Sequence, residues 1–518
     1  MISRIAAVVV LCGVAAPAVG DPPDGYYDPI TGTDGPTIFN QLTTLTNQAA
    51  VRSYGDARNI LQVTDEDPDN PDNIILTYNG ASINSAWTNG ATWNREHCWP
   101  RSLGVGSSGA DDSDLHMLRP CNPSVNSSRG NRKFGTLPGQ WDPDQFGLQY
   151  RGEMARIVFY AKTRYTYLSI PLVASQSQMI DWHFEQMPDA TDAERNDRVQ
   201  LYQLNRNPYV DRPEWVWAVF GDGPSDAQIT VAGSSTIDLG AFIDSGSPMT
   251  TTVQFDKTGA APTTYLVSTT GDVSSPAATG LQAGFARGAQ SASIPVTLAA
   301  GAGPIAGEVT IESTEITSAG PGLGADDADD TVMITALALE PSLASLDGLA
   351  PTQAVAIDLG DIDVGGTTGP IAVPVWNLAD PVLGAALDID VVSITGLADG
   401  VTLMGAPLLG VPAGASAPLV LEVAPSVPGP IAAIATIATS DENLPGESFT
   451  DLTITITGTA VNPCPADLTG NGIINAEDLN AWINAYNNGT PACDVNGDGL
   501  CMPDDFNFWV NQQPLGCP

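Results

Sequence analysis

The run Asn94-Arg95-Glu96-His97-Cys98-Trp99-Pro100-Arg101 is read together with two stretches that follow it, Asp114-Leu115-His116 and Val125-Asn126-Ser127-Ser128-Arg129-Gly130-Asn131. A neutral imidazole can take a proton from water, and the carboxylate of Glu96 and the amide oxygen of Asn126 are hard donors that suit Mg²⁺. Arg101, Arg119, Arg129 and Arg132 supply guanidinium groups, whose planar fork matches a phosphate. These are the parts that phosphodiester hydrolysis requires: a base for water and a cation for the departing oxygen. The chain has three histidines. His116 reads as a structural neighbour of the site and His183 as a satisfied buried histidine, which leaves His97 as the candidate base. Thr92 to His97 predicts an extended segment and Gly104 to Ala110 a flexible loop.

Further blocks follow in order: Gly152-Glu-Met-Ala-Arg-Ile-Val-Phe-Tyr160, Trp182-His183, Arg195-Asn196 and Asn205-Arg-Asn-Pro-Tyr-Val-Asp211. With them the pattern resembles the endonuclease I family of secreted nucleases, over roughly residues 40 to 220. The resemblance implies an α+β domain with a ββα-metal (His-Me) finger, in which His97 is the general base and Glu96 and Asn126 hold Mg²⁺. The phosphate-binding arginine of some family members sits in a longer loop than this chain has, so that position does not carry over; Arg101 and Arg119 are assigned instead. The implied activity is endonucleolytic hydrolysis of DNA, with RNA as a second substrate, with little sequence preference and 5′-phosphate products.

Targeting and charge agree with an exported nuclease. Arg4, the apolar run Ile5 to Ala16 and Ala18-Val19-Gly20 predict a secretory signal over residues 1–20. Every later apolar stretch is interrupted by Gly, Pro, Thr or Asp, so no membrane span is expected. The formal net charge of −40 opposes an approach to phosphates, but it is unevenly spread. Residues 21–221 hold 16 of the 19 Lys+Arg against 25 Asp+Glu, whereas residues 222–518 hold two against 34. Between Arg95 and Arg164 ten basic side chains face seven acidic ones, a local excess that can steer a polyanion. Six cysteines remain after the signal, an even number in an oxidising compartment. The expected bridges are Cys98–Cys121, Cys464–Cys517 and Cys493–Cys501, the tail pairing being one of three connectivities.

Within residues 21–221, helices are expected over Asn40–Val51, Tyr54–Gln62, Arg151–Tyr167 (amphipathic, facing the core) and Ala193–Leu204. Ile74–Tyr78 is expected to be a strand turning at Asn79-Gly80. From residue 222 the composition shifts to Gly, Ala, Thr, Val and Ile. Ile237-Asp-Leu-Gly240 recurs as Ile357-Asp-Leu-Gly360, and Thr331-Val-Met-Ile-Thr335 as Thr453-Ile-Thr-Ile-Thr457. Two tandem all-β sandwiches follow from this, over 222–340 and 341–461, faintly resembling the Ig-like repeats of bacterial surface proteins.

The tail holds two twelve-residue loops with oxygen side chains at positions 1, 3 and 5, glycine at 6 and aspartate at 12. Their ligands are Asp467, Thr469, Asn471, the carbonyl of Ile473 and Asp478 in the first loop. In the second they are Asp494, Asn496, Asp498, the carbonyl of Leu500 and Asp505. This is Ca²⁺-loop chemistry, and each loop runs into a similar helix. The pair resembles a dockerin-type module, which implies two Ca²⁺ and a cohesin-like or cell-surface partner. The expected protein is therefore multidomain: signal (1–20), nuclease (21–221), two sandwiches, and a small all-α calcium module (462–518). It is expected to be extracellular, with nucleic acid as substrate. A reading from another class is a calcium-dependent surface-attachment protein whose nuclease domain is secondary or relic.

Overall fold

A computed structural model describes residues 22–313, 327–462 and 464–517. The expected signal, 1–20, lies outside them. The chain divides into two compact units. The first contains Met1–Asp238, Met249–Ala299 and Ala306–Thr335; the second contains Leu239–Pro248, Ala300–Ile305 and Ala336–Pro518. No helix among the described residues is long and apolar enough to cross a membrane.

The first unit begins with a mixed helix and sheet domain. Its helices are α1 (Gly35–Thr46), α2 (Tyr54–Thr64), α3 (Pro123–Arg129), α4 (Arg151–Arg164), α5 (Ile170–Val173), α6 (Gln176–Glu185), α7 (Ala190–Gln203), α8 (Pro208–Asp211) and α9 (Trp215–Phe220). Its strands are β1 (Glu66–Asp67), β2 (Asn70–Ile75), β3 (Ser82–Asn84), β4 (Asn94–His97) and β5 (Leu118–Cys121). Helix α1 starts five residues before the expected Asn40. Asp34 caps it by accepting from Thr37 N, and Pro36 fits its first turn, where no N–H is needed. The chain turns after Ile75 at Tyr78 and Gly80, both with positive φ, and returns as β3 against β2.

Helix α4 is the core of this domain and differs from the amphipathic helix expected over Arg151–Tyr167. It ends at Arg164 and is buried nearly all round, Arg156 and Arg164 included. Burying these charges is tolerable because each is paired: Arg156 with Asp192 at 2.6 Å, and Arg164 with Asp114 at 2.6 Å. Around α4 pack Met179, Ile180, Phe184, Tyr209 and Phe220 from the later helices, with Trp99 and Trp141.

Two further regions each contain two sheets. In the first, strands Val273–Ser274, Gln290–Leu298, Thr250–Thr258 and Gln228–Val231 lie side by side in that order. The other sheet runs Ala283–Phe285, Thr263–Gly271, Gly303–Ser313, Asp330–Leu339, Thr236–Ile243. The second region repeats this strand for strand. Val401–Met404, Ser416–Val423, Ile371–Asn377 and Ala344–Ser345 form its four-stranded sheet, and Leu408–Val411, Leu387–Leu397, Gly429–Asp441, Phe449–Val461, Ala354–Asp363 the other. Its two sheets share one core, in which Val375, Leu419 and Leu421 meet Ile389, Ile437 and Ile456. The recurring Ile-Asp-Leu-Gly motif falls on the edge strand of each five-stranded sheet. In the second region that strand pairs in parallel with Phe449–Val461, and its register slips between Asp358 and Asp361. Gly240 and Gly360 have φ of +67° and +63°, so the repeated glycine is what an L side chain could not easily replace at the slip.

The helical domain is seated on its neighbour within the first unit. Arg287 Nε lies 2.7 Å from Asp181 Oδ1, and its guanidinium lies over the Trp217 ring at 5.1 Å. Gln282 donates to Glu214 Oε2 at 3.0 Å. Close approach needs Gly284, where a Cβ would come within 2.6 Å of Met187 Sδ.

At the end of the chain, α10 (Ala476–Asn488) and α11 (Pro503–Gln512) each follow one twelve-residue loop. Trp482 Nε1 donates to the carbonyl of Cys493 at 2.8 Å, and Trp509 Nε1 to that of Ala466 at 2.8 Å. Each helix is thus fastened to the start of the other half. The bridges Cys464–Cys517 and Cys493–Cys501 are both present. Cys98 and Cys121 are free and buried, so the bridge expected between them is corrected. Antiparallel pairing explains it: Cys121 lies opposite Asn94, while Cys98 bonds to Met117 beyond the other end of the ribbon. Four residues along a strand separate the two Cα atoms by roughly 13 Å, beyond the ~7 Å that a disulfide spans.

Candidate active site

Strands β4 and β5 form a short ribbon, with Glu96 opposite Arg119 and His97 opposite Leu118. Asn122 ends the ribbon and caps α3, its side chain accepting from the Ser124 and Val125 amides. This places Asn126 one turn into α3, against β4. Its Nδ2 donates to Asn94 Oδ1 at 2.8 Å and to the Arg95 carbonyl at 3.4 Å. Glu96 is buried, and its Oε1 accepts from Tyr78 Oη at 3.0 Å with Arg129 Nη1 at 3.5 Å. Burial pushes its carboxyl up from the ordinary value, while Arg129 and Tyr78 act in the opposite direction. Arg129 is 1% exposed and also donates to the carbonyls of His97 and Cys98 at 3.3 and 2.8 Å. It holds the strand end and the carboxylate in one arrangement.

His97 Nε2 lies 3.0 Å from the main-chain oxygen of Asp112 and 3.3 Å from that residue's Oδ1. A ring that donates Nε2–H to these oxygens leaves the Nδ1 lone pair available, which is the tautomer a proton acceptor needs. The imidazole is pushed below its ordinary value first by burial and further by Arg101, with the Asp112 contacts opposing. Arg101 reaches the site through the same aspartate, its Nε 2.5 Å from Asp112 Oδ1 and its side chain 40% exposed.

Arg119 does not face His97. It is buried between Asp65 at 3.0 Å and Glu153 at 2.8 Å. His116 and His183 are buried, with Nε2 against the carbonyls of Asn205 (3.2 Å) and Pro213 (3.0 Å). Burial pulls His116 down to about 3. Neighbouring Asp114 is a hub that accepts from Tyr160, Arg164, Tyr165 and Gln203. Sequence reasoning missed Asp112, Tyr54 and Tyr78, and named Arg129 only among possible phosphate cations. Nothing local marks these partners; only the pair Asp111-Asp112 just ahead of Asp114-Leu-His hinted at the first.

The donor set fits a hard divalent cation. Among the described residues, Glu96 Oε2 and Asn126 Oδ1 make no hydrogen bond, although their partner atoms on the same groups do. One carboxylate and one amide oxygen leave most of an octahedral shell to water and substrate, as Mg²⁺ prefers.

In the tail, Thr469 Oγ1 touches both Asp467 Oδ1 (3.2 Å) and Asp478 Oδ1 (2.7 Å), so the first and last positions of that loop converge. Asp467 also accepts from the Gly470, Asn471 and Gly472 amides, and Ile473 N donates to Asn471 Oδ1. The second loop repeats the pattern: Asp494 accepts from Gly497, Asp498 and Gly499, and Asp505 from Asn496 and Met502. Asn496 Oδ1 and Asp498 Oδ1 accept from the Asp498 and Leu500 amides. Cys464 and Cys517 lie beside Asp467 but are joined to each other, so neither offers a thiolate.

The family model described as Endonuclease I matches residues 30–147 and 144–214. An extracellular ribonuclease of Bacillus subtilis (strain 168) is 34% identical over 238 residues, 40% of this chain and 82% of that protein. The chain belongs to the Endonuclease I family. A second extracellular ribonuclease, from Bacillus amyloliquefaciens, is 32% identical over 222 residues, 37% of this chain and 76% of its own length. An extracellular deoxyribonuclease of Aeromonas hydrophila is 27% identical over 119 residues, 20% of this chain and 50% of that protein. The Endonuclease I match contains the ribbon, α3 and α4, and ends before the first pair of sheets. As an Endonuclease I protein, the chain is a hydrolytic nuclease.

Proposed function

We propose that the protein is a secreted, divalent-metal-dependent endonuclease that hydrolyses RNA and DNA with little sequence preference and leaves 5′-phosphates. The observation that carries this reading is the pairing of His97 Nε2 with the Asp112 main-chain oxygen at 3.0 Å, on the same strand as Glu96 and beside Asn126. His97 Nδ1 takes the proton of the attacking water. Glu96 and Asn126 hold Mg²⁺, which when bound supplies positive charge to the departing 3′ oxygen. Arg129 keeps Glu96 in place, and Arg101, exposed and anchored by Asp112, meets a non-bridging phosphate oxygen. Arg119, by its buried pairs, braces the ribbon instead. Relatives named for ribonuclease and for deoxyribonuclease activity support a substrate range that spans both polymers. The test is cleavage of RNA and DNA by the full mature chain with Mg²⁺. His97→Ala should lose cleavage while keeping its melting temperature; a variant that cleaves like wild type would remove His97 as base.

The tail is read as a calcium module of dockerin type, and the paired sheets as Ig-like sandwiches that serve as a spacer or an adhesion module. The duplicated loops support this, with two Ca²⁺ and a cohesin-like or cell-surface partner following. A relic nuclease is disfavoured because Glu96, His97 and Asn126 all keep supporting partners.

A further inference from the structure

Beside His97 the first unit carries a ladder of rings and cations of which the reaction above uses only Arg101. The Tyr54 ring lies nearly parallel to the imidazole, with centroids 5.4 Å apart and planes at 23°. The Arg95 guanidinium sits 3.6 Å over the Tyr54 ring and 5.1 Å from that of Trp87. Arg101 lies over Tyr54 at 4.4 Å, and Arg58 lies 6.0 Å from Trp87. Buried Trp93 meets Trp87 edge-on at 4.8 Å and fixes that outer ring. Outward from the base the order is Tyr54, Arg95, Trp87, Arg58.

The charge state of this ladder is unusual for the domain. Arg119, Arg156, Arg164, Arg195 and Arg206 are each spent on a carboxylate. Among the described residues, Arg58 and Arg95 have no carboxylate partner. Arg95 donates to the Tyr54 main-chain oxygen, and its buried Nε has no hydrogen-bond partner. Burial holds the Arg95 cation below its ordinary value first, Arg58 and Arg101 act in the same direction, and Tyr54 and Asp112 oppose them. An apolar edge of the core would explain the rings, but it would not gather Arg58, Arg95 and Arg101 where, among the described residues, only Arg101 has a carboxylate partner, Asp112. A polyanion laid along them would relieve the repulsion.

We infer that Arg95, Trp87 and Arg58, with Arg101 at the inner end, form a track for the backbone phosphates of the nucleic-acid strand that flanks the scissile bond. This rests on the nuclease reading. The rings serve as flat seats that keep each guanidinium extended, so the contact is to phosphate and independent of base. The track makes the enzyme bind polymer in preference to a short diester.

The test uses the full mature chain and a fluorescent oligonucleotide of about 20 nucleotides, single-stranded RNA or DNA, in EDTA so that no cleavage intrudes. Arg58→Ala should weaken binding several-fold and make the slope of log Kd against log salt shallower by about 0.7–0.9, the loss of one phosphate contact. Arg58→Lys should retain the slope. In Mg²⁺, Arg58→Ala should raise KM on the oligonucleotide with kcat unchanged, and leave hydrolysis of bis(p-nitrophenyl) phosphate as in wild type. Trp87→Leu should raise the oligonucleotide KM in the same way. An unchanged affinity and salt slope for Arg58→Ala would overturn the track, as would equal losses on the oligonucleotide and the small diester. Because the binding arm needs no turnover, its result separates failure of the track from failure of the chemistry.

Discussion

His97 and Asp112 make two contacts through one ring nitrogen, 3.0 Å to the main-chain oxygen and 3.3 Å to the carboxylate. Only the second can be removed by mutation. Asp112→Ala keeps the main-chain oxygen that sets the tautomer but releases Arg101. The expected loss in kcat is about tenfold, against the 10²–10⁴ that removing a base costs in His97→Ala. Steady-state rates on one polynucleotide rank the two; equal losses would mean that the carboxylate, not the main-chain oxygen, orients the ring.

Asn126, the proposed Mg²⁺ ligand, also ties α3 to β4 through Nδ2. Asn126→Ala should weaken Mg²⁺ activation by about 10–100-fold, and excess Mg²⁺ should recover part of the rate. A Mg²⁺ titration of activity reads this directly. A variant whose rate saturates at the wild-type Mg²⁺ concentration would contradict the ligand assignment.

Cys98 and Cys121 are buried thiols whose ionisation burial holds down, with both values pushed above the ordinary one. The folded mature protein should therefore react with no thiol reagent and expose two thiols on unfolding. Peptide mapping without reductant should find only Cys464–Cys517 and Cys493–Cys501 linked.

Acid should destabilise the first unit earlier than its carboxylates alone would require. His97, His116 and His183 are all held below the ordinary 6.5 by burial, His116 at about 3. In the unfolded chain they titrate near 6.5, so below that pH the unfolded state binds more protons and stability falls as pH falls. Each histidine contributes a slope of up to about 1.4 kcal/mol per pH unit. Glu96 and Glu153 are raised from 4.5 and act the other way nearer that value, so the window to measure is pH 6.5 to 5.5. Urea midpoints that stay flat across it would contradict the buried neutral state.

The parts of the site that lie on one short segment were legible in the sequence. Glu96-His97 on a strand follows from the extended segment Thr92–His97, Asn126 on the next helix follows from the family resemblance, and the ribbon joins them. What pairing over long distances decides was not legible. Arg119 sits opposite Glu96 in sequence register, yet Asp65 and Glu153 claim its guanidinium. The helix over Arg151–Tyr167 was expected to be amphipathic, but Asp192 and Asp114 let Arg156 and Arg164 be buried with the rest of it. Tyr54 comes from α2 to stack on His97, and no spacing rule announces it. Of the three connectivities open to the tail cysteines the expected one is present, though nothing in the sequence singled it out; the Cys98–Cys121 expectation failed because register, not proximity in sequence, sets which atoms meet.

The crossed tryptophan bonds in the tail bear on how its two loops fill. Trp509, on the helix of the second loop, holds the carbonyl of Ala466, the residue just before Asp467; Trp482 holds that of Cys493, just before Asp494. On the Ca²⁺ reading proposed for the tail, an ion that orders one loop would therefore tighten the grip on the proposed first ligand of the other. Filling should be cooperative, with a Hill coefficient above one in a Ca²⁺ titration followed by tryptophan fluorescence. Trp482→Phe, which keeps the ring and loses the donor, should bring the coefficient back towards one. A module built this way would switch over a narrow range of Ca²⁺ rather than respond in proportion to it.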